Sequence, residues 1–270
     1  MTAALEGIHA VLHFAACAYV GESIANPRKY FHNNVESALK LLDAVLSSSA
    51  RLFIFSSTCA TYGIPQSLPI TESNSQAPIN PYGATKLFFE HALAAYSVSH
   101  GLRSVSLRYF NAAGAQADGS IGEFHDPETH LIPLALKAAL GSAPPLKIFG
   151  NHFDTPDGTC IRDYIHVSDL GQAHVLALEY LAKGGETTCL NLGTGQGTSV
   201  AALVAAAEQV IGQKVPHSYT DPRPGDPPVL YADPARAATV LGWRPARDLH
   251  AILDSAWKWE QKLAASGYRL

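Results

Sequence analysis

The segment NPYGATK sets Tyr82 and Lys86 four residues apart. On a helix the phenol and the ammonium therefore share one face, one turn apart. A free phenol ionises near pH 10, and using it as a base at neutral pH needs a shift of roughly 3 units, about 4 kcal/mol. A neighbouring ammonium supplies part of that shift. Alone the pair is a weak signal, because Tyr and Lys at this spacing are usually solvated on a helix surface. Its surroundings strengthen it: Ser56, Ser57 and Thr58 close the apolar run LFIF, and LRYFN ends the next such run. Residues at the carboxyl ends of parallel strands are where ligands bind in open α/β sheets.

Those groups need a scaffold, and strand-like segments alternate with helical patterns as in a doubly wound parallel sheet. AVLHFA, RLFIFSS, SVSLRYF and CLNLG read as strands. Continuous apolar runs such as LFIF suit strands covered by helices on both faces. A helix is expected over 27–48, with Val35, Leu39, Leu42, Val45 and Leu46 on one face. Another is expected over 81–100, where Asn80 is the cap, Pro81 the first helical position and Gly101 lies just past the end. Between Asn111 and Arg162 the pattern breaks into Gly-, Pro- and Asp-rich segments around one short helix, LIPLALKAALG. That reads as a second, loop-rich lobe, resumed by the helix SVAALVAAAEQVIG and the proline-dense DPRPGDPP.

Composition narrows the classes. The 270 residues are 47% apolar and 16% charged with a net charge of −4, enough for a sizeable core and without a basic stripe for nucleic acid. Cys17, Cys59, Cys160 and Cys189 form no C-x-x-C pair, which speaks against a zinc knuckle or a disulfide framework and for a reducing compartment, the cytoplasm. No apolar run approaches the roughly 18–20 residues of a membrane span. His9 and His13 are four apart, but AVLHF is strand-like and no third ligand stands nearby, so no metal site is expected.

From HFAACAYVGES through NNV, FSSTCATYG, NPYGATK, LRYFNAAGA, GEFHDPETHLIP, IFGNHFDTPDGTCIRDYIHVSDL, NLGTG and RPGDPP, the chain resembles the UDP-glucose 4-epimerase family of extended short-chain dehydrogenases. The resemblance covers nearly the whole chain. It implies a Rossmann-like sheet, NAD as cofactor, a UDP-sugar as substrate, and a homodimer formed through the helices over 27–48 and 81–100. On that basis Tyr82 is the base for the sugar 4-hydroxyl, Thr58 binds the same oxygen, and Lys86 lowers the phenol's pKa and holds the nicotinamide ribose. Ala15, Ala16, Asn33, Ser56 and Tyr109 join Tyr82 and Lys86 in lining the cofactor. Ala18 stands where some relatives place a lysine. For the substrate the resemblance implies Arg162 and Arg223 on the diphosphate, Asp226 on a ribose hydroxyl, Asn111 on a phosphate and Phe149 near the uracil. His130 and Leu131 join them, with Leu230 beside the sugar's 2-position. Arg162 and Asp226 could equally brace loops, and Phe149 could equally be core.

The expected division is 1–112 as a partial dinucleotide-binding domain, with 161–198 returning to it, and 113–160 with 199–270 as the nucleotide-sugar lobe. The word partial reflects a departure. Family members open with a strand, a G-x-x-G-x-x-G turn and a helix, then an acidic residue after the second strand. None of these precedes AVLHFA here. The expectation is a start about one and a half βαβ units late, an open sheet edge at AVLHFA, and poor solubility or self-association through that edge. NLGTGQGTSV has the wrong glycine spacing for a cofactor loop and reads as a tight structural turn. An inactive fragment and a UDP-pentose 4-epimerase remain alternatives. A dehydratase is less favoured, because Cys59 and Ala60 stand where those enzymes carry carboxylates.

Overall fold

The computed structural model describes residues 2–223 and 226–266; Pro224 and Gly225 of RPGDPP lie outside the described residues. The chain divides into two compact units, Met1–Tyr109 with Gln172–Leu192 and Asp233–Trp243, and Phe110–Gly171 with Gly193–Ala232 and Arg244–Leu270.

In the first unit the four expected strands form one parallel sheet in the order Ala10–His13, Leu52–Thr58, Arg103–Tyr109, Thr188–Leu192. Phe53, Ile54 and Phe55 are buried in succession, so both faces of the second strand are covered and the apolar run has no polar alternation. The helix Pro81–His100 begins and ends where its caps predict. Asn80 Oδ1 accepts the Gly83 N–H at 2.9 Å, and Gly101 closes the helix at φ 66°. Its Phe89 and Leu93 pack with Phe53, Phe55, Leu42 and Val45 in one core. At its first turn Gly83 approaches the Cys59–Thr61 turn so closely that a Cβ there would lie 2.4 Å from the Ala60 oxygen.

The helix expected over 27–48 is interrupted. It runs as Pro27–Phe31, a π-helical turn at His32–Glu36, and Ser37–Leu46. The wide turn buries Asn34, and π turns of this kind recur at functional sites. The Pro81 helix is tied to the sheet by a buried ion pair. Glu90 and Arg108 meet at 2.6 Å with side chains 3% and 4% exposed. Around them Ser57 Oγ donates to Glu90, Arg108 Nη1 donates to the Tyr62 hydroxyl at 2.7 Å, and that hydroxyl donates to Asn191 Oδ1 at 2.7 Å.

The second unit holds short sheets. Leu146–Phe149 pairs in parallel with His217–Thr220, Asn111–Ala113 with Tyr164–His166, and Ile161–Arg162 lies between Thr198–Ser199 and Val229–Leu230. The helices Leu131–Ala139, Val200–Ile211 and Leu249–Ala265 share a core around Leu136, Leu203, Ile252 and Leu253. These boundaries differ from the expected ones. Residues 161–171 belong to this unit because their strands find their partners in it, whereas Asp233–Trp243 belongs to the first, where Asp233 N–H donates to Ile70 O and Arg236 to Thr188 Oγ1.

The NLGTG turn has its own anion. Asp163 accepts from the N–H groups of Thr194, Gly195 and Ala232 at 2.8, 3.1 and 3.2 Å and from the Thr194 hydroxyl at 2.6 Å. A Cβ on Gly193 would stand 2.5 Å from Asp163 Oδ2, so the glycine makes room for this carboxylate. Among the described residues no helix is long and apolar enough to cross a membrane.

Candidate active site

Thr58 ends the second strand, and its hydroxyl lies beside the Tyr82 side chain. The Thr58 Oγ1 also accepts the Ala60 N–H at 3.1 Å, which fixes its rotamer. Burial pushes the Tyr82 phenol up to about 12, with the Thr58 hydroxyl acting in the opposite direction. Lys86, one turn on, is buried, and its Nζ donates to the Ser56 carbonyl at 2.7 Å. Burial draws the Lys86 ammonium down to about 8, opposed by the negative charge of Glu90. The ammonium lies 4.9 Å from the Phe55 ring centre and 5.8 Å from that of Tyr82.

The Tyr109 hydroxyl meets His174 Nε2 and lies beside the Ser56 side chain. Burial raises its phenol, Ser56 opposes the shift, and Tyr82 adds to it. Ser56, Thr58, Tyr82, Lys86 and Tyr109 are thus assembled at adjoining strand ends. Ala15 is exposed and Ala16 half-buried on the backbone that continues the first strand. Asn33 is exposed and donates to Asn34 Oδ1 at 3.0 Å.

Asn34 is the link that sequence reasoning missed. Its amide accepts the Cys17 N–H at 2.8 Å and donates to the Cys17 carbonyl at 2.9 Å and to Thr85 Oγ1 at 3.2 Å. The Thr85 hydroxyl in turn donates to the Tyr82 carbonyl at 2.7 Å. Glu90 was also missed, although Tyr82, Lys86 and Glu90 continue one i, i+4 ladder that could have pointed to it. His13 stacks on Phe55, and its imidazole is lowered to about 4 by burial and then by the Lys86 charge.

In the second unit Arg162 and Leu230 are register partners, and Arg162 Nη2 lies 3.6 Å from Asp226 Oδ1. The Arg223 guanidinium is 3.9 Å from the centre of the Phe149 ring, a cation–π contact on a half-buried aromatic. The charges of Arg162, Asp226 and Arg223 all act on the Cys160 thiol, which burial raises. Phe149, Arg162, Arg223, Asp226 and Leu230 therefore form one neighbourhood. Asn111 joins the same stretch of chain, donating its N–H and its Nδ2 at 2.9 and 3.0 Å to the carbonyl of Asp163, the residue after Arg162. His130 and Leu131 mark the start of the helix Leu131–Ala139, with the His130 N–H on Glu128 Oε1 at 2.9 Å.

A parallel α/β sheet with a hydroxyl-rich strand end, and a Tyr and a buried Lys one helical turn apart beside it, defines a Rossmann-type protein. Residues 1–193 match the NAD dependent epimerase/dehydratase family, and the chain belongs to that family. It is 54% identical over 258 residues to the UDP-glucose 4-epimerase of Rhizobium meliloti (strain 1021), covering 96% of this chain and 79% of the relative. Among solved structures it resembles UDP-glucose 4-epimerase from Brucella ovis in complex with NAD, with TM-score 0.90 and 55% identity over 92% of this chain and 77% of that one. It also resembles the Stenotrophomonas maltophila enzyme with bound NAD and formylated UDP-arabinopyranose, with TM-score 0.95 and 40% identity over 98% and 80%.

Proposed function

We propose that the chain inverts the configuration at C4 of a UDP-hexose, interconverting UDP-glucose and UDP-galactose with NAD through a 4-keto sugar. The observation that carries this reading is the Tyr82 phenol set beside the Thr58 hydroxyl, with the buried Lys86 ammonium 5.8 Å from its ring. The residues present fit the nicotinamide half of NAD. Lys86 offers a buried ammonium, Ser56 and Tyr109 line the strand ends, and the small Ala15 and Ala16 let a ligand approach the backbone. Bound NAD supplies the acceptor that takes hydride from C4 and returns it to the opposite face.

Tyr82 accepts the 4-hydroxyl proton and gives it back, as a general base then acid. Thr58 holds the same oxygen in line with the phenol. Lys86 stabilises the phenolate by charge, since an ammonium nearby favours the ionised form. Asn33 lies on the cofactor side. Arg162 and Arg223 hold the diphosphate with guanidinium forks, Asp226 a ribose hydroxyl, Asn111 a phosphate and Phe149 the base, while Leu230 lies beside the sugar's 2-position and the segment at His130 and Leu131 borders the substrate. On this reading the first unit serves NAD and the second the UDP-sugar. The 270 residues contain no G-x-x-G-x-x-G turn, so the adenosine side of NAD is assigned to no residue here. The exposed Phe31, Phe88 and Val98 support a homodimer through the helices that carry them, and four free cysteines support a cytoplasmic setting.

The experiment is to purify the chain, measure NAD released per chain on denaturation, and assay UDP-galactose conversion with and without added NAD. Turnover that Tyr82→Phe abolishes supports the reading. A folded chain that neither carries NAD nor turns over when NAD is added overturns it and leaves the inactive-fragment alternative.

A further inference from the structure

The segment leading into the helix Leu131–Ala139 gathers four side chains that each offer one metal-ligating atom. These atoms, from Glu123, His125, Glu128 and His130, all lie within 4.8 Å of one another. Both imidazoles turn Nδ1 inward. His125 Nδ1 is 3.0 Å from Glu123 Oε1 and 3.7 Å from Glu128 Oε1, while His130 Nδ1 meets the same Glu123 oxygen and lies 4.0 Å from Glu128 Oε1. The two rings stand edge to face, 5.1 Å between centroids.

Histidines beside glutamates often form nothing more than ion pairs. Two buried carboxylate oxygens point further. The Glu128 side chain is only 6% exposed; its Oε1 accepts the Thr129 and His130 N–H groups, but its Oε2 has no hydrogen bond, with Lys137 Nζ at 3.8 Å. Glu260, 3% exposed on the helix Leu249–Ala265, likewise keeps Oε1 without a hydrogen bond and feels the charges of both Glu128 and Glu123. Glu128 and Glu260 thus share one ammonium, Lys137, in a poorly solvated corner where burial pushes the Glu260 carboxyl up to about 7. Buried anions of this kind are costly unless paired or bound to a cation.

We propose that Glu123, His125, Glu128 and His130 bind one divalent transition-metal ion of the Zn²⁺ class. Two imidazoles and two carboxylates are a nitrogen–oxygen set that suits Zn²⁺ and its neighbours, whereas Ca²⁺ and Mg²⁺ favour oxygen alone. Tetrahedral bonds of about 2.0–2.1 Å place ligand atoms about 3.3 Å apart. The spacings of 3.0, 3.7 and 4.0 Å between the imidazole nitrogens and the glutamate oxygens bracket that value. The ion closes the 123–130 segment onto the start of the following helix and offsets the surplus carboxylates. It plays a holding role and does not rest on the proposed epimerisation.

The test strips the full chain with a chelator, titrates Co²⁺ by its visible absorption, and titrates Zn²⁺ by calorimetry. The expected result is one ion per chain, with affinity lowered about tenfold or more in Glu123→Gln and His125→Ala and unchanged in His91→Ala, in the other unit. X-ray absorption of the Zn²⁺-loaded wild-type chain should show two imidazoles in the first shell, a readout that needs no variant to fold. Absence of saturable one-to-one binding, or a first shell without histidine, overturns the proposal. So does a folded His125→Ala that binds Zn²⁺ as tightly as wild type.

Discussion

Lys86 holds its ammonium 5.8 Å from the centre of the Tyr82 ring while giving its hydrogen bond, at 2.7 Å, to the Ser56 carbonyl. The charge is therefore pinned to the sheet, beside the phenol and not on it. On the proposed reading the Lys86 charge must offset the burial that pushes the phenol up to about 12, so removing it as Lys86→Met should move the Tyr82 ionisation further up and lower activity at neutral pH. The acid limb of the kcat–pH profile should shift to higher pH. Tyr82→Phe should cost about 10²–10⁴ in kcat at every pH. An unshifted limb in Lys86→Met would mean that Lys86 acts only by packing.

His13 gives the fold a pH dependence of predictable sign. Its folded-state value of about 4 lies below the ordinary 6.5. The unfolded chain therefore takes up a proton that the folded chain refuses as pH falls from 6.5 toward 4, and stability drops across that window. His13→Phe keeps the stack on Phe55 and removes this proton, so its urea midpoint should fall less steeply with acidification than that of wild type. Lys86, at about 8 against 10.5, has the same sign in the alkaline range: stability rises as pH climbs between those values.

Gly83→Ala sets two effects against each other. Alanine in a helix gains up to about 1 kcal/mol over glycine. Here the new methyl would lie 2.4 Å from the Ala60 backbone oxygen, which has no flexible end to move aside. Overpacking of this kind costs about 1–3 kcal/mol. The variant should melt below wild type and, because Tyr82 is the adjoining residue, lose activity as well. A melting temperature at or above that of wild type would contradict the clash.

Glu90→Ala leaves the buried Arg108 guanidinium without its counter-ion. Breaking a buried pair from one side typically costs about 3–5 kcal/mol. Glu90→Gln should cost less, since the amide still accepts from Ser57. Urea unfolding that placed both variants within about 1 kcal/mol of wild type would show that the pair is not essential to the sheet's attachment.

Much of this was legible in local sequence. Asn80, Pro81 and Gly101 fix the Tyr82 helix because caps act within a few residues, and Tyr82 with Lys86 is visible as one step of a helical ladder. The π turn at His32–Glu36 was not legible, since the apolar spacing on either side of it still reads as one helix. Nor was the place of residues 161–171, whose strands of two and three residues are defined only by partners distant in sequence. The glycine turn was read as structural from its spacing, but its occupant, Asp163, lies 31 residues from Thr194 and carries no local mark. GEFHDPETH was read only through its resemblance, because its ligand spacing follows neither a zinc knuckle nor a helix face.

The amide of Asn34 presents to Cys17 one donor and one acceptor at the spacing of a peptide group, much as a neighbouring strand would. The loop after the edge strand is in this way stitched to a helix by a single side chain. Through Thr85 the same stitch reaches the Tyr82 backbone. One buried amide thus joins the Cys17 loop, the π turn and the backbone of the Pro81–His100 helix into a single hydrogen-bonded patch.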